Sequence, residues 1–245
     1  MSRTTILEEL HDGVAVLTLN RPARRNAFND QQYDDLREAL AGARKDDAIR
    51  AVLITGSPGA FSAGQDIDEM GSGRSFTPFV DQVSTFDKPL LAAVNGVAVG
   101  IGLTLLPHCD LVYVADSARL RAPFVSLGLV CEAGSSLLLP MIVGPQHAAD
   151  VLLSGDWITA QQAVEMGLAL RCVPEAELLP VALSKAKAIA AQPLAALRES
   201  KRLLLATRAD ALRMARTRED AIQMKRLGSP ENLAAIQAFQ RRRKV

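Results

Sequence analysis

Apolar and polar residues alternate through Val14-Ala15-Val16-Leu17-Thr18-Leu19, the period of a half-buried strand, and Asn20-Arg21-Pro22 ends it. The period then changes. Tyr33, Leu36 and Leu40 stand at i, i+3 and i+7, a helical stripe, with Asn29 or Asp30 placed to cap its start. Residues 51–55 and 89–94 are short continuous apolar runs, read as strands buried on both faces. Gly56-Ser57-Pro58-Gly59 stops the first and Asn95-Gly96 the second. Residues 110–115 and 118–121 add two short strands, and 68–86, with Gly71-Ser72-Gly73, reads as a mobile loop. After Glu132 the pattern predicts helices over 135–142, 146–153, 160–166, 176–191, 194–206, 210–227 and 231–243, with Pro193 as a break. Strands crowd the first half and helices the last third, so the fold class is α/β with a helical extension. Leu203, Leu212, Met214 and Ile222 give that extension an amphipathic character suited to packing on the core or on another subunit.

Composition narrows the class without naming a function. The 245 residues are 49% hydrophobic and 22% charged, which excludes wholesale disorder, collagen-like repeats and coiled coil. Lys and Arg number 28 against 27 Asp and Glu, so the net charge of +1 gives no electrostatic reason to expect a nucleic-acid partner. The N-terminal residues lack the basic-then-apolar pattern of a signal peptide. The run 89–106 is broken by Asn95 and three glycines and falls short of a spanning helix. Three widely spaced cysteines, Cys109, Cys131 and Cys172, suit reduced thiols, and the expected location is cytoplasmic.

Familiar catalytic signatures are missing. Gly100-Ile101-Gly102 departs from the dinucleotide fingerprint at Leu105, and the chain has neither a GxxxxGK[ST] phosphate loop nor a GxSxG elbow. His11, His108 and His147 stand in unrelated contexts without the spacing of metal ligands. Two loops are more suggestive. Ala60-Phe61-Ser62-Ala63-Gly64-Gln65-Asp66-Ile67 and Asn95-Gly96 through Gly102 each follow a buried strand and enter a helix start, where backbone N–H groups lack partners. Facing each other, two such donors would form an oxyanion hole; taken separately, both are equally tight strand-to-helix turns with glycines for conformational reasons.

Several segments, in order, resemble one family. Asn20-Arg21-Pro22 with Arg24-Arg25-Asn26-Ala27-Phe28-Asn29, the two loops above, Cys109-Asp110-Leu111, Leu127-Gly128-Leu129, Leu153-Ser154-Gly155 and Ala163 with Gly167-Leu168 are similar to the enoyl-CoA hydratase/isomerase (crotonase) superfamily. The resemblance implies a crotonase-like spiral of ββα units over 1–192, a helical trimerisation region over 193–245, an acyl-CoA substrate and a homotrimer or hexamer. It implies no metal, no redox cofactor, no nucleic acid and no membrane. Carried over, the oxyanion donors are the N–H groups of Gln65 and Ile101, the latter at a position usually glycine, where a β-branched residue is expected to crowd the pocket. Arg24, Ala63, Gly64, Asp66, Ile67, Phe239 and Arg242 take the positions that approach CoA. A solvated basic tail is the plainer reading of Arg241-Arg242-Arg243-Lys244.

The acid residues discriminate within the family. The two glutamates of its hydratases match Thr104 and Phe124, so the two-glutamate hydration route is disfavoured. The stretch from Pro123 to Ser136 is similar instead to peroxisomal-type Δ3,Δ2-enoyl-CoA isomerases, whose catalytic base matches Glu132. By position alone Glu132 would be a carboxylate at a helix start. The resemblance makes it the single base of a double-bond shift from 3-enoyl-CoA to 2-trans-enoyl-CoA. Hydration, thioester hydrolysis or non-catalytic acyl-CoA binding are the alternatives. Asp110 is expected to serve structure, and Asp68 and Glu69 to face solvent.

Overall fold

The computed structural model describes residues 3–69 and 73–242, apart from the side chains of Glu69 and Arg242. β1 (Ile6–His11) and β2 (Val14–Leu19) pair antiparallel around Asp12-Gly13, both at positive φ, a two-residue hairpin. This hairpin forms one edge of a six-stranded sheet in which β3 (Ala51–Gly56), β5 (Leu90–Val94), β7 (Leu111–Ala115) and β10 (Arg171–Val173) follow β2, each parallel to its neighbour. Strands buried on both faces need no alternation, which is why β3 and β5 are unbroken apolar runs.

A second, smaller sheet runs β4 (Ala60–Ser62), β6 (Val97–Val99), β8 (Arg119–Arg121) and β9 (Ile158–Thr159). The chain visits the sheets in turn: β3 then β4, β5 then β6, β7 then β8. The chain thus lays one strand into each sheet per turn, a spiral of the kind the resemblance implies. The corner between β3 and β4 is tight enough that a Cβ on Gly56 would collide with the backbone of Ala60 and Phe61. Asn95 ties one corner to the next, donating to Gly56 O at 2.8 Å and accepting from Gly56 N at 3.0 Å. Buried Asn26, in the left-handed region, donates to Ala60 O at 2.7 Å and fastens the Asn20–Phe28 segment onto β4.

The helices are α1 (Asp30–Lys45), α2 (Phe76–Ser84), α3 (Ile101–Thr104), α4 (Ser135–Ala149), α5 (Ala160–Glu165), α6 (Glu175–Ala190), α7 (Leu194–Ala206), α8 (Ala209–Arg226) and α9 (Pro230–Arg242). Asn29 caps α1, accepting from Gln32 N at 2.9 Å. The structure corrects the loop expected over 68–86. Within it, 76–84 is α2, because Phe76, Phe79, Val80 and Val83 form an apolar stripe whose last three members are fully buried; Gly71 and Ser72 lie outside the described residues. The helices expected at 135–142 and 146–153 are one run bent at Gly144, which precedes Pro145. That run, continued to Ser154, has the length and apolar composition of a membrane-crossing helix, yet it is bent here and packs against α8.

One buried cation holds α1 to the sheet. Lys88 is fully buried, and its Nζ donates to Ala43 O, Asp46 O and Ile49 O at 2.7, 2.8 and 2.7 Å, covering the C-terminal carbonyls of α1. Lys88→Met keeps the apolar stem and strips all three acceptors of a donor. It is expected to lower stability by about 2–4 kcal/mol. Urea unfolding tests this through a lowered midpoint with an unchanged slope; an unmoved midpoint would show the ammonium to be dispensable.

Candidate active site

β4 and β6 are parallel, so the loops that follow them leave the small sheet at the same end. They touch through glycine. Gly64 (φ +93) lies so close to β6 that a Cβ there would stand 2.9 Å from Val99 O, and Gly100 (φ +53) faces the Gly64 Cα. A Cβ on Gly102 would stand 2.9 Å from Ser62 O. Phe28 N donates to Gly64 O and Asp66 N donates to Phe28 O, both at 2.7 Å. This parallel bridge uses the groups on either side of Gln65 and turns its own N–H to the opposite side, where it meets no acceptor among the described residues. Ile101 opens α3, whose Leu103 and Thr104 N–H groups both go to Gly100 O, and the Ile101 N–H meets no acceptor among the described residues. The expected crowding by Ile101 is not found. The whole residue is 1% exposed, and its side chain packs into the hydrophobic core.

Glu132 belongs to a different loop and is half-buried. The two residues after it, Ala133 (φ +58) and Gly134 (φ +77), are both left-handed. Its carbonyl accepts from Ser135 N and Ser135 Oγ at 3.0 and 2.6 Å, while its carboxylate makes no hydrogen bond among the described residues. The helix-capping alternative for Glu132 is therefore excluded. Glu219 on α8 takes that role, accepting from Gly134 N at 2.6 Å and Ser136 N at 2.8 Å. Burial first, then the charges of Glu219 and Asp220, push the Glu132 carboxyl up to about 8. Cys131 beside it is held up at about 11 by burial, so its thiol is no nucleophile near neutrality.

Tyr33 links the two halves. Its hydroxyl donates to Gln65 Oε1 at 2.9 Å, inside an aromatic group with Phe28, Phe76 and Phe79 at 4.8–5.7 Å. Burial raises the phenol well above its ordinary range, and the negative charge of Glu132 raises it further. Glu132, Tyr33 and Gln65 thus share one electrostatic neighbourhood. Buried His108 supports the same loop through Nε2, 2.8 Å from Ala133 O. Burial lowers its imidazole to about 4, so the ring is neutral and Nε2–H donates.

The remaining expected residues sort by whether they are already committed. Asp66 is buried, with Oδ2 on Arg21 Nη2 at 3.0 Å and Oδ1 accepting from Asp68 N at 3.2 Å, so its carboxylate serves the loop. Arg24 is half-exposed on the same face and meets Asp68 at 2.8 Å. Ala63, Gly64 and Ile67 border the loop, with Ala63 N bonded to Arg25 O at 2.9 Å. Phe239 is exposed on α9, and the Arg242 side chain lies outside the described residues. Thr104 and Phe124 are both buried, and the Thr104 hydroxyl has no partner among the described residues. Asp110 is structural, accepting from Leu90 N at 2.8 Å and Lys201 Nζ at 2.5 Å. Sequence reasoning missed Tyr33 as a site residue, and missed His108 and Glu219 as supports. The α1 stripe named Tyr33 only as core.

Residues 9–245 match the profile of the enoyl-CoA hydratase/isomerase family. The chain belongs to this family. A 1,2-epoxyphenylacetyl-CoA isomerase of Escherichia coli K12 is 37% identical over 201 residues, 77% of each chain. A 2,3-dehydroadipyl-CoA hydratase of the same strain is 35% identical over 94% of this chain and 93% of its own. Enoyl-CoA delta isomerase 2 of Rattus norvegicus is 34% identical over 96% of this chain, which spans 63% of that longer protein. An enoyl-CoA hydratase/isomerase structure from Pseudoalteromonas atlantica T6c superposes with a TM-score of 0.94 at 38% identity, covering 98% of both chains. This enoyl-CoA hydratase/isomerase family member is an acyl-CoA enzyme with a crotonase fold.

The raised carboxyl has a thermodynamic signature. The folded state holds a proton on Glu132 up to about pH 8, the unfolded state only to the ordinary glutamate value of 4.5. Stability is therefore lost as pH rises from about 4.5 through 8, by on the order of a few kcal/mol. Glu132→Gln removes this loss. Its melting temperature is expected to exceed the parent's at pH 9 and nearly match it at pH 5, with about 2–4 °C per kcal/mol. A difference that does not change with pH would contradict the raised carboxyl.

Proposed function

We propose that this family member is a Δ3,Δ2-enoyl-CoA isomerase with Glu132 as its single base. The observation that carries the reading is that Glu132 is an uncommitted carboxylate at a half-buried position, with Glu219 already covering the helix start beside it. The positions resembling the hydratase glutamates hold Thr104 and Phe124, both buried, and neither supplies a carboxylate.

In this reading the Gln65 and Ile101 amides donate to the thioester oxygen and polarise the carbonyl, which acidifies C2. Glu132 removes a proton from C2, and the electron pair of that C–H bond spreads over the oxygen, C2 and C4 as a dienolate. The same carboxyl returns the proton to C4. The C3–C4 double bond becomes C2–C3, no water is consumed, and Glu132 ends as it began. A carboxyl titrating at about 8 is a much stronger base than an exposed glutamate and is matched to this transfer. The substrate's CoA portion is assigned to the Arg24 guanidinium and the backbone of Ala63, Gly64, Asp66 and Ile67, with Phe239 and Arg242 approaching from the C-terminal helix. The exposed apolar side chains of Leu203, Met214 and Ile222 support a homotrimer or hexamer built through 193–245.

The assay is conversion of a 3-enoyl-CoA, followed by the ultraviolet absorbance of the conjugated thioester. Turnover is expected in the parent, rising with pH to a plateau above about 8. Glu132→Gln is expected to cut kcat by about a thousandfold while acyl-CoA binding survives. Unchanged turnover in that variant removes Glu132 from the chemistry. A parent that binds acyl-CoA without isomerising, but releases thiol or adds water, assigns the site to hydrolysis or hydration.

A further inference from the structure

The face of α8 turned to the Glu132 loop is polar. Glu219, Gln223 and Arg226 stand at i, i+4 and i+7 and grip successive points of the loop. Arg226 Nε donates to Gly128 O at 3.0 Å, Val130 N donates to Gln223 Oε1 at 3.1 Å, and Gly134 N and Ser136 N donate to the two oxygens of Glu219. Leu212 of α8 packs directly against Gly134, where an added Cβ would meet its Cδ1. On the opposite side, His108 holds Ala133 O. Two consecutive left-handed residues, one of them alanine, are thereby over-determined from both flanks.

We propose that Glu219 is a positioning residue for Glu132: its carboxylate occupies the helix start that Glu132 would otherwise cap. The proposal rests on the reading of Glu132 as the base. The two carboxylates compete for one helix start. The start of α4 presents free N–H groups, Gly134 supplies no side-chain cap, and Glu132 precedes that start by three residues, within ordinary capping reach. With Glu219 buried on those donors, Glu132 has no anion site left to it and stays available to substrate.

The charges facing Glu132 come from several elements. Glu219 and Asp220 of α8 bear on it directly, Tyr33 of α1 and Cys131 are neutral neighbours, and Arg216 of α8 pairs with Asp81 of α2 at 2.7 Å and offsets Asp220.

The test is Glu219→Gln, read by the 13C signal of the Glu132 carboxyl in the free enzyme, assigned by its loss in Glu132→Gln, and by the pH profile of kcat/KM. The neutral amide keeps the shape and one acceptor. The Glu132 midpoint and the acidic limb are both expected to move about one unit lower, and kcat to fall about tenfold to a hundredfold as aim is lost. An unmoved Glu132 titration, or an unchanged kcat, overturns the proposal. Should Glu219→Gln not fold, Glu219→Asp decides. It keeps the charge on a shorter arm, so kcat should fall at least about tenfold with the limb in place; a parent-like kcat overturns the aiming role. The titration is independent of turnover. A lowered midpoint beside an active Glu132→Gln enzyme would leave the clamp standing and remove only the reading of Glu132 as base.

Discussion

The close approach of Gly64 to the Val99 carbonyl is the constraint from which the site follows. Two strands of three residues each have little pairing energy of their own, so β4 and β6 are held in register by the corners that precede them and the loops that follow. Backbone contact at Gly64 and Gly100 brings those loops together without an intervening side chain. The amides of Gln65 and Ile101 then leave the same end of the small sheet. They are main-chain groups, so the same corners and glycine contacts that hold β4 and β6 also set where they stand. The buried side chains of Asn26 and Ile101 and the bonded carboxamide of Asn95 are the supports of that contact.

Electrostatics at the other loop follow a second constraint. Two carboxylates, Glu132 and Glu219, approach one helix start, and its donors satisfy only one of them. The satisfied one stabilises α4. The other is left with burial and like charge, both of which favour its protonated form. That costs stability at alkaline pH and produces a base of unusual strength, a common exchange where activity depends on an unfavourable environment. Tyr33 shows that the two constraints meet, since its hydroxyl is bonded to Gln65 and its phenol is raised by Glu132.

How much of this was legible in the sequence depended on how local each signal was. The strands β2, β3, β5 and β7 and the helices from α4 onward were readable because each carries its own run or stripe. β4, β6, β9 and β10 were not, since two or three residues establish no period, and only pairing across the sheet makes them strands. α2 carries a full apolar stripe but was hidden behind Gly71-Ser72-Gly73. At the site, the two loops stood out by their glycines, yet spacing alone left them as ordinary turns. The freedom of the Gln65 amide comes from a bridge to Phe28, far back in the chain, and not from a helix start. Glu132 was the least decidable residue from position, because a glutamate ahead of a helix reads as a cap. What excludes the cap is Glu219, more than eighty residues away.

The same geometry bears on the choice of reaction within the family. Hydration needs one group to activate water and another to deliver a proton, on a site that admits water between them. Here the two corresponding positions hold a buried phenyl ring and a buried, unpartnered hydroxyl, so neither offers an acid–base group. With Phe124 and Thr104 at those positions, Glu132 is left as a carboxylate with no hydrogen bond among the described residues. A single carboxyl suits a reaction that takes a proton from one carbon and returns it to another nearby on the same face. A water-consuming reaction would have to route both of its transfers through that one carboxyl, from a loop that α8 and His108 hold still from either side.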